Sequence, residues 1–109
     1  MISWSDFEKI EMRVGTILTA DIFEKAKKPA YILTIDFGEL GTKKSSAQIT
    51  SLYTLDELPG RQVIAVVNFP PKQIANFFSE CLVLGVYNQN NDVVLLQPGK
   101  EVKNGCRIG

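Results

Sequence analysis

The sequence predicts a single all-β domain, built as a five-stranded antiparallel barrel with short capping helices and a C-terminal β extension. Of its 109 residues, 45% are hydrophobic, which is enough for one core, so residues 1–109 are expected to form one domain. Short apolar segments are separated by turn residues, and only two brief segments carry helix-capping patterns. Short strands at regular spacing with one intervening helix are typical of a small antiparallel barrel.

A short helical turn and a long strand are predicted to open the domain. Ser3-x-x-Asp6 and Ser5-x-x-Glu8 both resemble a capping box. The segment from Met12 to Phe23 alternates, and Gly15 within it indicates a bulge or a close approach of another chain segment. The alternation predicts that one face of this first strand carries Val14, Thr16, Leu18, Ala20 and Ile22.

The second and third strands follow a charged loop at residues 24–29. Ala30 to Gly38 is the clearest strand pattern in the chain. One side of it is predicted to carry Tyr31, Leu33, Ile35 and Phe37. Lys43 to Thr50 is short, polar and compatible with a third strand whose exposed face is hydrophilic.

The second half of the chain is predicted to hold a brief helix and the remaining strands. Thr54 to Glu57 forms a capping box, and Pro59-Gly60 would stop the helix. The apolar β segments that follow are Arg61–Phe69, Glu80–Tyr87 and Asp92–Pro98, with a strand or tail at Val102–Gly109. A long first strand and a helix between the third and fourth strands fit the OB-fold, a five-stranded Greek-key barrel.

Composition excludes several classes of function. The chain has no histidine, which excludes Ser-His-Asp triads and histidine metal sites, and Cys81 and Cys106 lack metal-binding spacing, so neither a metal nor a cofactor is expected. Twelve basic residues balance twelve acidic ones, so any anion site must be local. The N-terminus lacks a signal-like apolar region, and no apolar run could insert into a membrane, so a cytoplasmic location is predicted.

Several sequence blocks resemble the tRNA-binding-domain family. They are RVGTI at 13–17, AYILTIDFG at 30–38, SSAQIT at 45–50, YTLDEL at 53–58 and VIAVVNFPPK at 63–72. The match extends over about residues 6–109, and it is closer to the stand-alone bacterial branch, the CsaA-type export-related chaperones. The resemblance implies an OB-fold homodimer that binds tRNA or structured RNA without catalysis. The alternative that it implies is a chaperone for unfolded preproteins, with the secretion ATPase as a further partner.

Three groups of residues are candidates for the RNA- or peptide-binding site. An OB-fold binds oligonucleotides on the face of strands two and three and on the loops beside it. Lysines there could meet phosphates, hydroxyls and amides could bind RNA or a peptide backbone, and phenylalanines could stack on bases. The candidates are Lys25, Lys27, Lys28, Lys43 and Lys44; Ser45, Ser46 and Gln48; and Asn68, Phe69, Lys72 and Phe77.

Each group also has an ordinary structural interpretation. The lysines could lie in solvated loops, the serines on a plain polar strand face, and the phenylalanines in the core. Pro70-Pro71 is predicted to end the fourth strand, with Lys72 to Phe77 as a loop. Relatives in the family carry basic residues and a glycine after the block that ends at Lys72, where this chain has Gln73, Ala75 and Asn76. This departure weakens the case for tight tRNA binding more than the case for the fold.

Two further expectations concern assembly and catalysis. The homodimer is predicted to use the region of Trp4 and Phe7 together with the strand region from Val93 to Pro98, where apolar residues exceed what a small barrel can hide. The acids with any catalytic potential are Asp36, Asp56, Glu57 and Glu80. All four occupy strand or cap positions, so the sequence predicts no enzyme.

Overall fold

A computed structural model describes all residues from 1 to 109 and gives the barrel a five-stranded antiparallel sheet in the order β3-β2-β1-β4-β7. Two separate hairpins, β5-β6 and β8-β9, are attached to it. The strands are β1 Met12–Ile22, β2 Tyr31–Asp36, β3 Thr42–Ala47, β4 Gln62–Val66, β5 Lys72–Ile74, β6 Phe77–Ser79, β7 Leu82–Val83, β8 Gly85–Tyr87 and β9 Val93–Leu95. The helices are α1 Trp4–Glu8 and two 3₁₀ turns, Gly38–Leu40 and Leu55–Glu57. The predicted all-β OB-type barrel is confirmed.

The barrel is nearly closed, because backbone and side-chain hydrogen bonds join β3 to Ser79 and Glu80. The Glu80 N–H donates to the Lys44 carbonyl at 2.7 Å, and the Lys44 N–H donates to the Glu80 carboxylate at 2.9 Å. The Ser46 N–H donates to the Ser79 hydroxyl at 3.3 Å. These bonds satisfy an edge that would otherwise be open to another chain.

Strand β2 has the predicted inward face. Tyr31, Leu33 and Ile35 are buried, and Phe37 just after the strand is fully buried. They belong to one core cluster with Ile17, Ile49, Leu58, Val63, Ala65, Cys81 and Leu95.

The prediction that Val14, Thr16, Leu18, Ala20 and Ile22 share one face of β1 is wrong, because the alternation is interrupted within the strand. The register passes from Ile17–Ile35 to Thr19–Thr34, so Leu18 is an extra residue in a β-bulge. Ile17 is therefore buried, while Leu18 is 47% exposed. Gly15 has the other predicted role, since a Cβ there would come within 2.7 Å of the Phe37 ring.

The segment from Lys72 to Phe77, predicted as a loop, is instead most of a β-hairpin. Pro70-Pro71 does end the fourth strand region, and β5 and β6 then pair across a turn. Ala75 at this turn has a φ of 54°, in the left-handed region that two-residue hairpin turns require. The hairpin stands beside β3, where it can form one wall of a site.

The two chain ends meet beside the start of β1, where the Arg107 guanidinium donates to the Glu8 carbonyl at 3.1 Å. Ser3 and Asp6 form the predicted capping box at α1. The C-terminal tail runs along the first residues of β1, with an isolated bridge between Arg13 and Arg107. No helix in the protein has the length and hydropathy that crossing a bilayer requires.

Candidate nucleic-acid interface

Two hollows adjoin on the outer side of the barrel, between the loop after β1, strand β3 and the β5-β6 hairpin. We name the first the basic hollow, which has a volume of about 360 Å³ and is lined by Lys25, Lys27, Lys28, Gln48 and their neighbours. The second, the apolar hollow, has a volume of about 380 Å³ and is lined by Phe69, Pro70, Lys72, Ile74, Ser79, Cys81 and Leu82. Ser46 and Ile74 line both hollows, so together they form one groove.

The alternation of β3 decides which polar side chains face the groove. Ser46 pairs with Ile32 on the outer side of the sheet and lines both hollows. Ser45 points inward, is 1% exposed, and donates its hydroxyl hydrogen to the Cys81 carbonyl at 3.0 Å. Contrary to the sequence-based expectation, Ser45 therefore lies inside the barrel and offers no surface to a ligand.

The β5-β6 hairpin has two different faces. The cross-strand pairs Lys72–Ser79 and Ile74–Phe77 share one face, and Lys72, Ile74 and Ser79 line the groove. Phe77 on this face packs edge-on against Phe23, with ring centroids 5.3 Å apart. Phe77 thus joins the hairpin to the loop after β1, which fits the structural interpretation rather than a base-stacking role.

None of the six candidate lysines forms a salt bridge. The basic residues that do form ion pairs are Lys9, Arg13 and Arg107, and none of them lines either hollow. Lys44 is exposed, whereas Lys43 is half-buried because its partner in the register, Ile35, points into the barrel. The lysines that line the groove, with their charges unpaired, are Lys25, Lys27, Lys28 and Lys72.

Asn68 and Phe69 are adjacent but have different roles. The Asn68 amide nitrogen donates to the Lys9 carbonyl at 2.7 Å, and its amide oxygen accepts from the Glu11 N–H at 3.0 Å. Asn68 therefore holds the segment after α1, and its amide is already used within the protein, against the expectation that it binds a ligand. Phe69 is 55% exposed and lines the apolar hollow, where it can contact one.

Cys81 forms part of the wall of the apolar hollow. Burial raises the pKa of its thiol to about 11, against smaller opposing effects from the Lys43 charge and the Ser45 hydroxyl. The thiol is therefore neutral near pH 7, and Cys81 is an apolar wall residue rather than a nucleophile.

Three of the four acids considered for catalysis have structural partners. The Asp36 carboxylate accepts from the Gly38 N–H at 2.8 Å, and the Glu57 carboxylate accepts from the Thr54 hydroxyl at 3.2 Å. Glu80 closes the barrel through Lys44. Asp56 is exposed and lines neither hollow.

Sequence reasoning missed several apolar residues of the groove, among them Pro70, Ile74 and Leu82. Ile74 could have been found, because Lys72, Ile74, Phe77 and Ser79 follow the alternation of a hairpin around the turn at Ala75 and Asn76. Leu82 could not, because it reaches the groove only after the barrel closes. Leu82 is 49% exposed, but its neighbours in the sequence are also apolar, so no local pattern distinguishes it from a core residue.

Comparison with known proteins agrees with this fold. The family model described as "Putative tRNA binding domain" matches residues 12–107. A crystal structure of the chaperone CsaA from Bacillus anthracis str. Ames is 52% identical, with a TM-score of 0.95 and coverage of 100% of this chain and 99% of that one. The CsaA chaperone protein from Picrophilus torridus is 53% identical, with a TM-score of 0.94 and full coverage of both chains.

A curated relative is the methionine–tRNA ligase of Methanosarcina mazei, 34% identical over 108 residues. The match covers 99% of this chain, which spans only 15% of the length of that ligase. The similarity thus concerns one domain of a much larger protein.

Proposed function

The chain belongs to the tRNA-binding domain family, and from this premise we propose that it is a non-catalytic RNA-binding module that acts as a cytoplasmic homodimer. Its ligand is tRNA or another structured RNA, held along the groove. The observation that carries the proposal is the set of unpaired lysines, Lys25, Lys27, Lys28 and Lys72, on both sides of the polar outer face of β3.

Each part of the groove suits a different part of an RNA strand. Lysines at the rims neutralise phosphates, which supports binding even though the net charge of the protein is zero. Ser46 and Gln48 can donate to and accept from base edges or ribose hydroxyls. The exposed ring of Phe69 can stack on one base.

An unfolded preprotein segment is the second candidate ligand, and the apolar hollow favours it. Phe69, Pro70, Ile74 and Leu82 give this hollow a mainly apolar lining that suits a hydrophobic side chain of a peptide. The two similar structures named CsaA are described as chaperones. A chaperone of this kind would bind preproteins and the secretion ATPase in protein export.

The salt dependence of binding separates the two ligands. We expect log Kd for tRNA to rise steeply with log salt concentration, and the K27A/K28A double variant to lower that slope by about 1.4 to 1.8, or 0.7 to 0.9 per lost contact. The matched control is K100A/K103A, which removes two exposed lysines outside the groove. An equal slope for both double variants would refute the placement of RNA in the groove.

Binding of an unfolded polypeptide without measurable binding of RNA would support the chaperone function. If wild-type protein shows no measurable tRNA affinity at about 50 mM salt but binds an unfolded preprotein segment, the RNA proposal fails. Phe69→Ala should weaken that peptide binding while K27A/K28A leaves it unchanged, because an apolar contact does not depend on lysine charge.

The proposed homodimer uses the apolar surface around α1. Ile2 and Trp4 are 75% and 77% exposed, and with Phe7 and Gly109 they line a hollow of about 400 Å³. The expectation for Val93–Pro98 is corrected in part, because Leu95 is buried in the core and, of the apolar residues in this range, only Val94 is clearly exposed.

Trp4→Ala tests this interface. Removal of a central aromatic side chain costs about 2 kcal/mol or more of association free energy, roughly a thirtyfold weaker dimer. Sedimentation of the variant and of the wild type over a concentration series measures the effect. A wild-type protein that stays monomeric at micromolar concentration would refute the dimer.

A further inference from the structure

The groove continues into a third hollow beyond Lys28 and Gln48. This hollow, which we name the polar hollow, has a volume of about 260 Å³ and lies between the segment after β3 and the turn that joins β8 to β9. Lys28 and Gln48 line both the basic hollow and the polar hollow. A strand bound in the basic hollow would therefore extend into the polar one.

Five side chains of the polar hollow have polar atoms that form no hydrogen bond within the protein. They are Gln48, Thr50, Ser51, Asn91 and Asp92. None of them forms an ion pair either. Their hydrogen-bonding capacity is therefore available to a ligand.

The backbone around Asp92 is fixed, although its carboxylate is free. The Asn88 side-chain oxygen accepts from the Asn90 N–H at 3.0 Å and from the Asp92 N–H at 2.9 Å. The Asn88 N–H also donates to the Asp92 carbonyl at 2.9 Å. Asp92 is half-buried and lines the hollow. The hydrogen-bonded turn therefore holds its carboxylate where a ligand in the hollow can contact it.

The charge of Asp92 selects the chemistry of the ligand. An ionised carboxylate only accepts hydrogen bonds and repels phosphate, so Asp92 itself takes an O–H or N–H donor, while Lys28 in the lining of the same hollow can neutralise a phosphate of the strand. Among the donors of a nucleic acid, the ribose 2′-hydroxyl is present at every nucleotide of RNA and absent from DNA. The neighbouring hydroxyls of Thr50 and Ser51 can bond the same sugar.

We propose that the polar hollow binds a ribose of the RNA strand and that Asp92 accepts a hydrogen bond from its 2′-hydroxyl, so that this residue makes the module select RNA over DNA. This inference rests on the proposed RNA-binding function. It assigns a position of the strand and one specific source of selectivity, in addition to the ribose contacts that Ser46 and Gln48 can make.

The test compares RNA and DNA oligonucleotides of one sequence on wild type and on Asp92→Ala. We expect the ratio of the DNA Kd to the RNA Kd to fall by about three- to tenfold in the variant, the value of one net hydrogen bond. Asp56→Ala is the matched control, because it removes an equal charge from an exposed side chain outside the three hollows and should leave the ratio unchanged. Using a ratio cancels the general gain in affinity that loss of a negative charge gives to both ligands.

RNA with 2′-O-methyl groups tests whether the 2′-hydroxyl is the hydrogen-bond donor to Asp92. It should bind wild-type protein several-fold more weakly than unmodified RNA, and this difference should shrink in Asp92→Ala.

An unchanged DNA-to-RNA ratio in a variant that still melts cooperatively overturns the inference and leaves the proposed function intact. A loss confined to oligonucleotides that contain one particular base also overturns it, because a donor on that base, such as the amino group of adenine, cytosine or guanine, would then be the partner of Asp92. If wild-type protein binds no RNA, the proposed function and the inference both fail.

Discussion

The groove and the region where the C-terminal tail meets the barrel use the same kinds of polar residues in opposite ways. In the second region, Gln62 and Asn104 join the tail to the barrel: Gln62 donates to the Val102 carbonyl at 2.7 Å, and Asn104 accepts from the Thr16 hydroxyl at 2.7 Å. We name this region the terminal clasp. It consists of Glu11, Arg13, Thr16, Asp36, Gln62, Asn104 and Arg107.

In the groove, by contrast, the Gln48 amide and the lysines have no partner within the protein, although the Ser79 hydroxyl bonds to Ser46 and Cys81. Gln48 has no partner within the protein, although Gln62 has both of its amide atoms bonded. The groove lysines form no ion pairs, whereas Arg13 and Arg107 both contact Glu11. A polar group that is already paired contributes to stability, and one that is unpaired can contribute to binding. Pairing within the protein, rather than residue type, separates the two regions.

Thiol labelling tests whether the wall of the apolar hollow is preformed and stays closed in the native protein. Cys81 is buried with a raised pKa, whereas Cys106, at the terminal clasp, is exposed. A shift from 9.0 to about 11 lowers the thiolate fraction about a hundredfold near pH 8, so one thiol per chain should react fast and the other at least about a hundredfold more slowly.

The variant Cys106→Ser identifies the fast thiol, because it should abolish the fast phase. Denaturant should make both thiols of the wild type reactive. Equal rates for the two native thiols would mean that the wall of the apolar hollow opens readily, and the groove could then not be treated as preformed.

The matched substitutions Gln62→Ala and Gln48→Ala compare the two regions directly. Gln62→Ala removes three hydrogen bonds and should lower the free energy of unfolding by about 2 kcal/mol. Gln48→Ala should change it by less than about 0.5 kcal/mol, because the side chain is exposed and has no partner.

Chemical denaturation measures both values, and tRNA binding should show the reverse order, with Gln48→Ala the weaker binder. The comparison fails if the two variants lose equal stability or equal affinity.

The sequence could predict the parts of the fold that depend on local alternation. Tyr31, Leu33 and Ile35 alternate without interruption, and a period of two places them on the buried face of β2. The capping box of Ser3 and Asp6 is likewise local, since its residues lie within one turn. The lysines and Gln48 of the groove could be predicted because their positions follow from the order of strands in this barrel.

The rest depends on contacts that are distant in sequence. The bulge at Leu18 changes which residues of β1 face the core, and no residue type in the sequence indicates the bulge. Asn68 bonds to Glu11, 57 residues away, and Ser45 bonds to Cys81, 36 residues away. A polar side chain looks equally available in a sequence whether or not such a partner exists, so Asn68 and Ser45 could not be separated from Ser46.

Phe69 and Phe77 give a smaller test within the groove itself. Phe69→Ala should weaken RNA binding about fivefold, the lower end of what one base-stacking contact contributes, with little loss of stability. Phe77→Ala should instead lower stability, because its ring packs on Phe23. Fluorescence binding titrations and thermal melts of both variants measure these effects, and a stability loss with Phe69→Ala would place that ring in the core instead.

The smallest expected effect concerns the pH dependence of the terminal clasp. The hydrogen bond from Arg13 lowers the pKa of Glu11 below its ordinary value of 4.5; burial opposes this shift, and the charges of Arg107 and Arg13 add to it. Because the pKa is lower in the folded state than in the unfolded state, the ionised carboxylate stabilises the fold at pH values above 4.5. This contribution declines as the pH falls through the folded pKa.

Glu11→Gln should therefore lower the melting temperature at about pH 7, and the difference from wild type should shrink as the pH falls below 4.5. Glu101→Gln makes the same charge change on an exposed side chain with no ion pair, and it should show no such convergence. If the gap between Glu11→Gln and wild type stays constant over this range, the bonds from Arg13 and Arg107 do not stabilise the clasp through the charge of Glu11. The clasp would then differ from the groove in its hydrogen bonds alone.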